Sequence, residues 1–147
     1  LGSIAKNKKA RFNYTVEDTY EAGIILLGTE VKSCLNSNVD LSDGYVDIGE
    51  KSVVLKNVHI AKYENAGYAD HAEKRDRVLL LNKNEILRLN KKIKEKGYTL
   101  IPLSMYFSKS HKIKVEVGLC KGKKLYDKRE ALKKKQMEMD VKREMKI

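Results

Sequence analysis

The chain has 147 residues, with 31 Lys and Arg against 20 Asp and Glu, a net charge of +11, eight Tyr, two Phe and no Trp. A single domain of this length buries roughly 68 to 70% of its unfolded surface and needs no covalent staples. Its two cysteines, Cys34 and Cys120, lie outside any CxxC or Cys/His spacing, and no apolar run approaches the ~20 residues of a bilayer span, which excludes a disulfide scaffold, a metal knuckle and a membrane helix.

A soluble, cytoplasmic protein with buried, reduced thiols is therefore expected. The charge is uneven along the chain. Residues 1 to 12 carry Lys6, Lys8, Lys9 and Arg11 with no acid, residues 121 to 147 carry eleven basic residues against five acids, and residues 13 to 120 are close to neutral. Basic ends on a neutral middle favour a polyanionic partner, because each neutralised phosphate releases condensed counterions. A merely solubilising surface is the alternative from composition. The chain divides on this basis into a basic arm (1–12), a folded domain (13–120) and a basic tail (121–147).

Leu1-Gly2-Ser3 is set aside from the fold, and the arm Lys6-Asn7-Lys8-Lys9-Ala10-Arg11 has little to pack. Tyr14, Val16 and Tyr20 alternate with Thr15, Glu17, Thr19 and Glu21, the period of a strand with one wet face. Gly23-Ile24-Ile25-Leu26-Leu27-Gly28 reads as buried on both faces, with Gly23 allowing a bend or bulge. Val31, Cys34 and Leu35 predict a short helix capped by Thr29. Leu41-Ser42-Asp43-Gly44 is turn chemistry before a strand at Tyr45 to Ile48, and Gly49-Glu50-Lys51 turns into a strand from Ser52 to Ile60.

Residues 64 to 76 lack periodicity and predict an exposed loop of little order. Arg77 to Leu81 returns as a strand. Asn82-Lys83-Asn84-Glu85 is a capping box for a helix whose stripe is Ile86, Leu89 and Ile93, stopped by Gly97. Ile101, Leu103, Met105 and Phe107 alternate with Pro102, Ser104 and Tyr106. Ile113, Val115, Val117 and Leu119 do so with Lys112, Lys114, Glu116 and Gly118, giving a hairpin around Ser108 to His111. About six short strands with two or three short helices predict a mainly β, antiparallel oligonucleotide-binding-like (OB-type) barrel, closed or nearly so.

No catalytic constellation emerges. His59, His71 and His111 have no metal-ligand spacing, and GxSxG, HExxH and phosphate-loop patterns are absent. The expectation is a protein that is not an enzyme and has neither metal nor cofactor, with a generic single-strand binder and a metal-dependent nuclease as the competing classes. In the tail, Asp127-Lys128-Arg129-Glu130 repeats capping-box spacing, and Met137, Val141 and Met145 recur every four residues. The thin apolar stripe and the Lys133-Lys134-Lys135 run predict a helix too weak to hold alone, disordered in the free protein and ordered on RNA, with docking on its own barrel as the alternative.

Five segments occur together and in order. They are Asn7-Lys8-Lys9-Ala10-Arg11, Tyr20-Glu21-Ala22-Gly23-Ile24, Gly28-Thr29-Glu30-Val31-Lys32-Ser33, Leu41-Ser42-Asp43, and Gly122-Lys123-Lys124-Leu125-Tyr126-Asp127-Lys128-Arg129. Over essentially its whole length the chain thereby resembles the SmpB family, which binds transfer-messenger RNA. The resemblance implies an RNA-binding barrel that holds the tRNA-like domain of that RNA and brings it to stalled ribosomes. It implies a tail that enters the decoding centre, against small-subunit ribosomal RNA, and the empty message channel. It also implies indirect association with GTP-bound elongation factor Tu and a monomer in solution. Asn7, Glu21 and Leu80 match positions associated with the tRNA-like domain, with Lys8, Lys9 and Arg11 as natural phosphate partners beside them. Tyr126, Asp127, Lys128 and Arg129, following Lys123 and Lys124, match the tail positions used on the ribosome. The chain departs from the family pattern at Asp40, Gly44 and Glu144.

Overall fold

Period-two alternation builds most of the computed structural model, which describes residues 2–63, 70–95 and 97–122. Its elements run β1 (Ser3–Lys6), α1 (Lys8–Asn13), β2 (Tyr14–Ile24), α2 (Gly28–Leu35), β3 (Val39–Asp40), β4 (Tyr45–Ile48), β5 (Val53–Lys56), β6 (His59–Ile60), β7 (Arg77–Leu80), α3 (Lys83–Ile93), β8 (Tyr98–Phe107) and β9 (Ile113–Gly122). Seven strands form one antiparallel sheet in the order β1-β8-β9-β2-β7-β5-β4, and β3 pairs with β6 separately. The architecture is the expected antiparallel, sheet-dominated one. The large sheet curls so that β4 packs beside β8, but no ladder among the described residues joins the two edge strands, β1 and β4, so hydrogen-bonded barrel closure is not part of it.

The inner face carries the core. Ala22, Leu55, Val58, Ile60, Met105, Val115 and Val117 are fully buried together with Cys34 from α2 and Leu89 from α3. Each fully buried Val, Leu or Met contributes about 1.5 to 3 kcal/mol, so this layer dominates the stabilisation. A smaller cluster of Ala10, Ile101, Leu103 and Cys120 sits beneath α1. The α3 stripe behaves as its spacing predicts, with Leu89 buried, Ile86 and Ile93 packed against the core, and Gly97 at φ +93 beyond the helix. Gly44 is buried, and a Cβ there would lie 2.5 Å from Val58 Cγ2 and 3.0 Å from Pro102 Cγ, so the packing of this chain favours glycine at that position.

Several expectations need correction. The arm has a packing role: Ser3 lies opposite Tyr106 and Lys6 opposite Ser104, with Ile4 buried between them. Without it the outer side of β8 would present unpaired backbone groups, and an adjacent extended segment with one apolar residue satisfies them. The tail begins later than its charge implied, because Lys121 and Gly122 complete β9, flanked by β2 and, at Lys121, by β8. The β2 irregularity sits between Val16 and Asp18, and the strand continues through Gly23. The run after Gly23 is covered on one side only, leaving Ile25 and Leu27 exposed. Helix α2 starts at Gly28, where the Leu27 N–H donates to Glu30 Oε1 at 2.8 Å, and Thr29 faces His71 instead of capping.

The loop assigned to residues 64–76 is also more ordered than expected over its described part. His71 is buried, its Nε2–H donating to the Ile60 carbonyl at 2.9 Å, while Nδ1 lies 2.9 Å from Thr29 Oγ1 and 3.1 Å from Asp70 Oδ1. A buried carboxylate of α2, Glu30, receives Arg75 from the end of the same segment and Arg77 from the start of β7. Hydrophilic composition disguised this order because the segment is held by polar groups that are buried and paired.

Candidate nucleic-acid interface

The outward face of β8, β9, β2 and β7 is the candidate site. Directly opposed residues in antiparallel strands share a face. The register therefore places Ser104, Glu116 and Glu21 in one outward row, and Tyr106, Lys114, Gly23 and Leu80 in the next. Glu21 is exposed, and its Oε2 accepts a short hydrogen bond from the Tyr106 hydroxyl. Burial and that carboxylate together push the Tyr106 hydroxyl far above its ordinary pKa, so it remains a donor. Glu116 accepts from Arg11 Nη2 and from Ser104 Oγ, each at 3.4 Å, which draws the basic arm to the same face.

Leu80 is 55% exposed, which places it on the surface and not in the core. Gly23 explains its position: a Cβ on Gly23 would stand 3.3 Å from Leu80 Cβ. Next to it, Ile25 and Val78 are also exposed, joined by a 3.0 Å hydrogen bond from Ile25 N to Val78 O. Between this apolar strip and α3 lies an open groove of about 250 Å³ lined by Glu21, Gly23, Leu80, Leu81, Asn82, Glu85 and Lys114. It sets the Glu21 and Glu85 carboxylates and the Lys114 ammonium beside an apolar wall. Such a mixture suits an unstacked base and its phosphate better than a backbone alone.

The family model described as SmpB protein matches residues 4–147. The chain belongs to the SmpB family. It is 46% identical to the SsrA-binding protein of Staphylococcus saprophyticus over 99% of this chain and 94% of that one, and 48% identical to that of Treponema denticola over 98% and 93%. A solved chain described under "tmRNA-SmpB: a journey to the center of the bacterial ribosome" superposes with a TM-score of 0.69 at 43% identity, covering 81% of this chain and 83% of that one.

The residues singled out by the SmpB resemblance are not all in one place. Glu21 and Leu80 line the same groove, and Arg11 reaches its border through Glu116. Lys8 is exposed. Lys9 pairs with Asp43 at 3.2 Å beside a separate hollow of about 380 Å³ shared with Asn13, Tyr14, Ser42, Tyr45 and Thr99. Asn7, the third position that the resemblance associates with the tRNA-like domain, is buried and clamps the arm internally. It is 2% exposed, its Nδ2 donates to the Leu41 carbonyl at 3.0 Å and the Pro102 carbonyl at 2.9 Å, and its Oδ1 accepts from Ala10 N at 2.9 Å. Lys123, Lys124, Tyr126, Asp127, Lys128 and Arg129 lie outside the described residues.

Alternation alone placed Tyr106 and Lys114 on the polar parity of their strands. It carried no signal that this parity meets Glu21, because cross-strand register is a long-range property. Chemistry elsewhere is spent internally. Burial pushes the Cys34 thiol up to about 12 and the Cys120 thiol up to about 11. Among the described residues no group of three His, Cys, Asp or Glu is placed to hold a metal ion, and no helix is long and apolar enough to cross a membrane.

Proposed function

We propose that this chain binds the tRNA-like domain of transfer-messenger RNA and delivers it to stalled ribosomes for trans-translation. The observation that carries the reading is the family assignment with SsrA-binding relatives over nearly the whole chain, joined to an exposed groove that holds both Glu21 and Leu80. The protein acts in the cytoplasm as a monomer and performs no catalysis itself. Elongation factor Tu with GTP meets it only through the RNA.

The division of labour follows the chain. Residues up to Gly122 hold RNA, with Glu21 and Leu80 at bases, Lys8, Lys9 and Arg11 at phosphates, and Asn7 positioning the arm that carries them. Residues 123–147 act on the ribosome, with Lys123, Lys124, Tyr126, Asp127, Lys128 and Arg129 at the decoding centre. The test compares the intact protein with a chain ending at Leu125 for affinity to transfer-messenger RNA and for peptide tagging on stalled ribosomes. The shortened chain keeps most of its RNA affinity and loses tagging. Loss of RNA affinity alone, or equal affinity for linear RNA and for a folded tRNA-like elbow, overturns the reading.

A further inference from the structure

We propose that the hollow of about 380 Å³ between α1, the turn at Ser42 to Gly44 and β8 seats the ring of Tyr126, so that the free protein holds its own decoding-centre residue against the sheet. The seat stands on the fold alone; its consequence rests on the reading of residues 123–147 given above. The hollow has the mixed chemistry that a tyrosine needs. Its buried side chains are Ala10 and Ile101, and beside them stand the rings of Tyr14, half-buried, and Tyr45, exposed. A phenol ring packs on such a surface and brings a hydroxyl that seeks a partner. Both the Asn13 amide and the Thr99 hydroxyl line the hollow, and among the described residues neither has a side-chain hydrogen bond.

Chain continuity names the occupant. Strand β9 ends at Gly122, directly opposite Tyr14, so the tail leaves the sheet one strand spacing, about 4.8 Å, from a residue of the hollow. Tyr126 follows four residues later, a reach of about 13 to 14 Å at full extension, and it is the only aromatic residue in 123–147. A Cβ on Gly122 would meet nothing within 4 Å, and glycine turns to either side at little steric cost, so the exit direction is open. With so short a tether the effective concentration of the ring is about millimolar or higher, enough to occupy at least half of a surface that binds free tyrosine at millimolar strength. The rim agrees in charge. Asp43 is exposed there, bonded to Lys9 at 3.2 Å, and Lys123 and Lys124 lie between Gly122 and the ring, whereas a phosphodiester strung across the hollow would face that carboxylate. Docking lowers the tail's apparent affinity for a ribosome by the undocked fraction, so the ring is released only to a site that binds it more tightly.

The test is NMR on the full chain with alanine and isoleucine methyls and aromatic rings labelled. Nuclear Overhauser cross-peaks are expected from the Tyr126 ring to the Ala10 and Ile101 methyls in dilute protein, lost in Tyr126→Ala and kept in Tyr126→Phe. Tyr45→Ser, checked for unchanged melting, weakens them and leaves affinity for transfer-messenger RNA as it was, since Tyr45 lies outside the groove of Glu21 and Leu80. Absence of the cross-peaks in the full chain overturns the proposal. So does their appearance only between differently labelled chains in a mixture, which assigns the hollow to a second copy. A shift of the same two methyls by a short single-stranded RNA, with no ring contact, overturns it in favour of a nucleobase. The docking spectra need neither transfer-messenger RNA nor a ribosome: failed docking leaves the RNA-binding reading standing, and a failed tagging assay leaves the docking standing.

Discussion

Glu30 of α2 and Arg77 of β7 form an ion pair in which neither side chain has any solvent exposure. Arg77 also donates to the Val58 carbonyl at 2.9 Å and the Glu73 carbonyl at 3.1 Å, while Glu30 accepts from Arg75 Nη2 at 2.6 Å and Leu27 N at 2.8 Å. The pair ties the described end of the 64–76 segment to α2. Removing Arg77 leaves the buried Glu30 carboxylate with Arg75 and the Leu27 N–H but without its buried cation, so Arg77→Leu is expected to cost about 3 kcal/mol in urea unfolding, the lower end for a broken buried pair. The double variant Glu30→Leu with Arg77→Leu should recover part of that loss; a milder effect for Arg77→Leu than for the double variant would contradict the argument.

The same carboxylate sets an acid limit. Burial alone would raise Glu30, but hydrogen bonds from Arg75, from Leu27 N–H and from Arg77 outweigh it and hold the group below its ordinary 4.5. A depressed folded-state pKa stabilises the fold above the unfolded value, and that contribution is lost as pH falls through the folded value. Thermal melting followed from pH 7 downward should show Tm dropping below about pH 4.5, with a shallower drop in Glu30→Gln.

Asn7 offers a separation of packing from recognition. Asn7→Ala strips partners from two carbonyls and one N–H in a buried site, a loss of about 2 to 4 kcal/mol. At a temperature where the variant is fully folded, its RNA affinity should fall less than that of Glu21→Gln. Unchanged melting with abolished binding would show that Asn7 touches RNA directly.

Gly118 probes the tightest strand contact. A Cβ there would come within 2.6 Å of Leu103 Cδ1 and 3.1 Å of Cys120 Sγ, inside the cluster beneath α1. Overpacking makes Gly118→Ala destabilising by about 1 to 3 kcal/mol, with partial relief from Leu103→Ala in the same chain. Calorimetry of the two single variants and the double variant measures the coupling.

The thiols should be silent in the native protein. With pKa values pushed to about 12 and about 11 by burial, Cys34 and Cys120 hold almost no thiolate at pH 8. A chromogenic disulfide reagent should therefore modify them only as fast as the protein opens, and immediately in denaturant. Rapid labelling of folded protein would contradict their burial.

What the sequence by itself determined is what local chemistry controls. The alternation around Ile101 to Leu119 defined the long hairpin, the Asn82–Glu85 box and Gly97 bounded α3, and charge separated the tail from a neutral middle. Motif order alone carried the family. Tertiary structure decided everything that depends on which strand lies beside which. Ser3–Lys6 became an edge strand because β8 had an open side, and Asn7 went inside because two distant carbonyls needed its amide. Leu80 came out to solvent because its opposite residue is Gly23 and nothing among the described residues covers that face. Glu21, Tyr106 and Lys114, separated by up to 93 positions in the chain, share a groove only through the β8-β9-β2 register. Local periodicity specifies which way a side chain points, whereas its neighbours are set by pairing free energy summed over whole strands, which no short stretch of sequence contains.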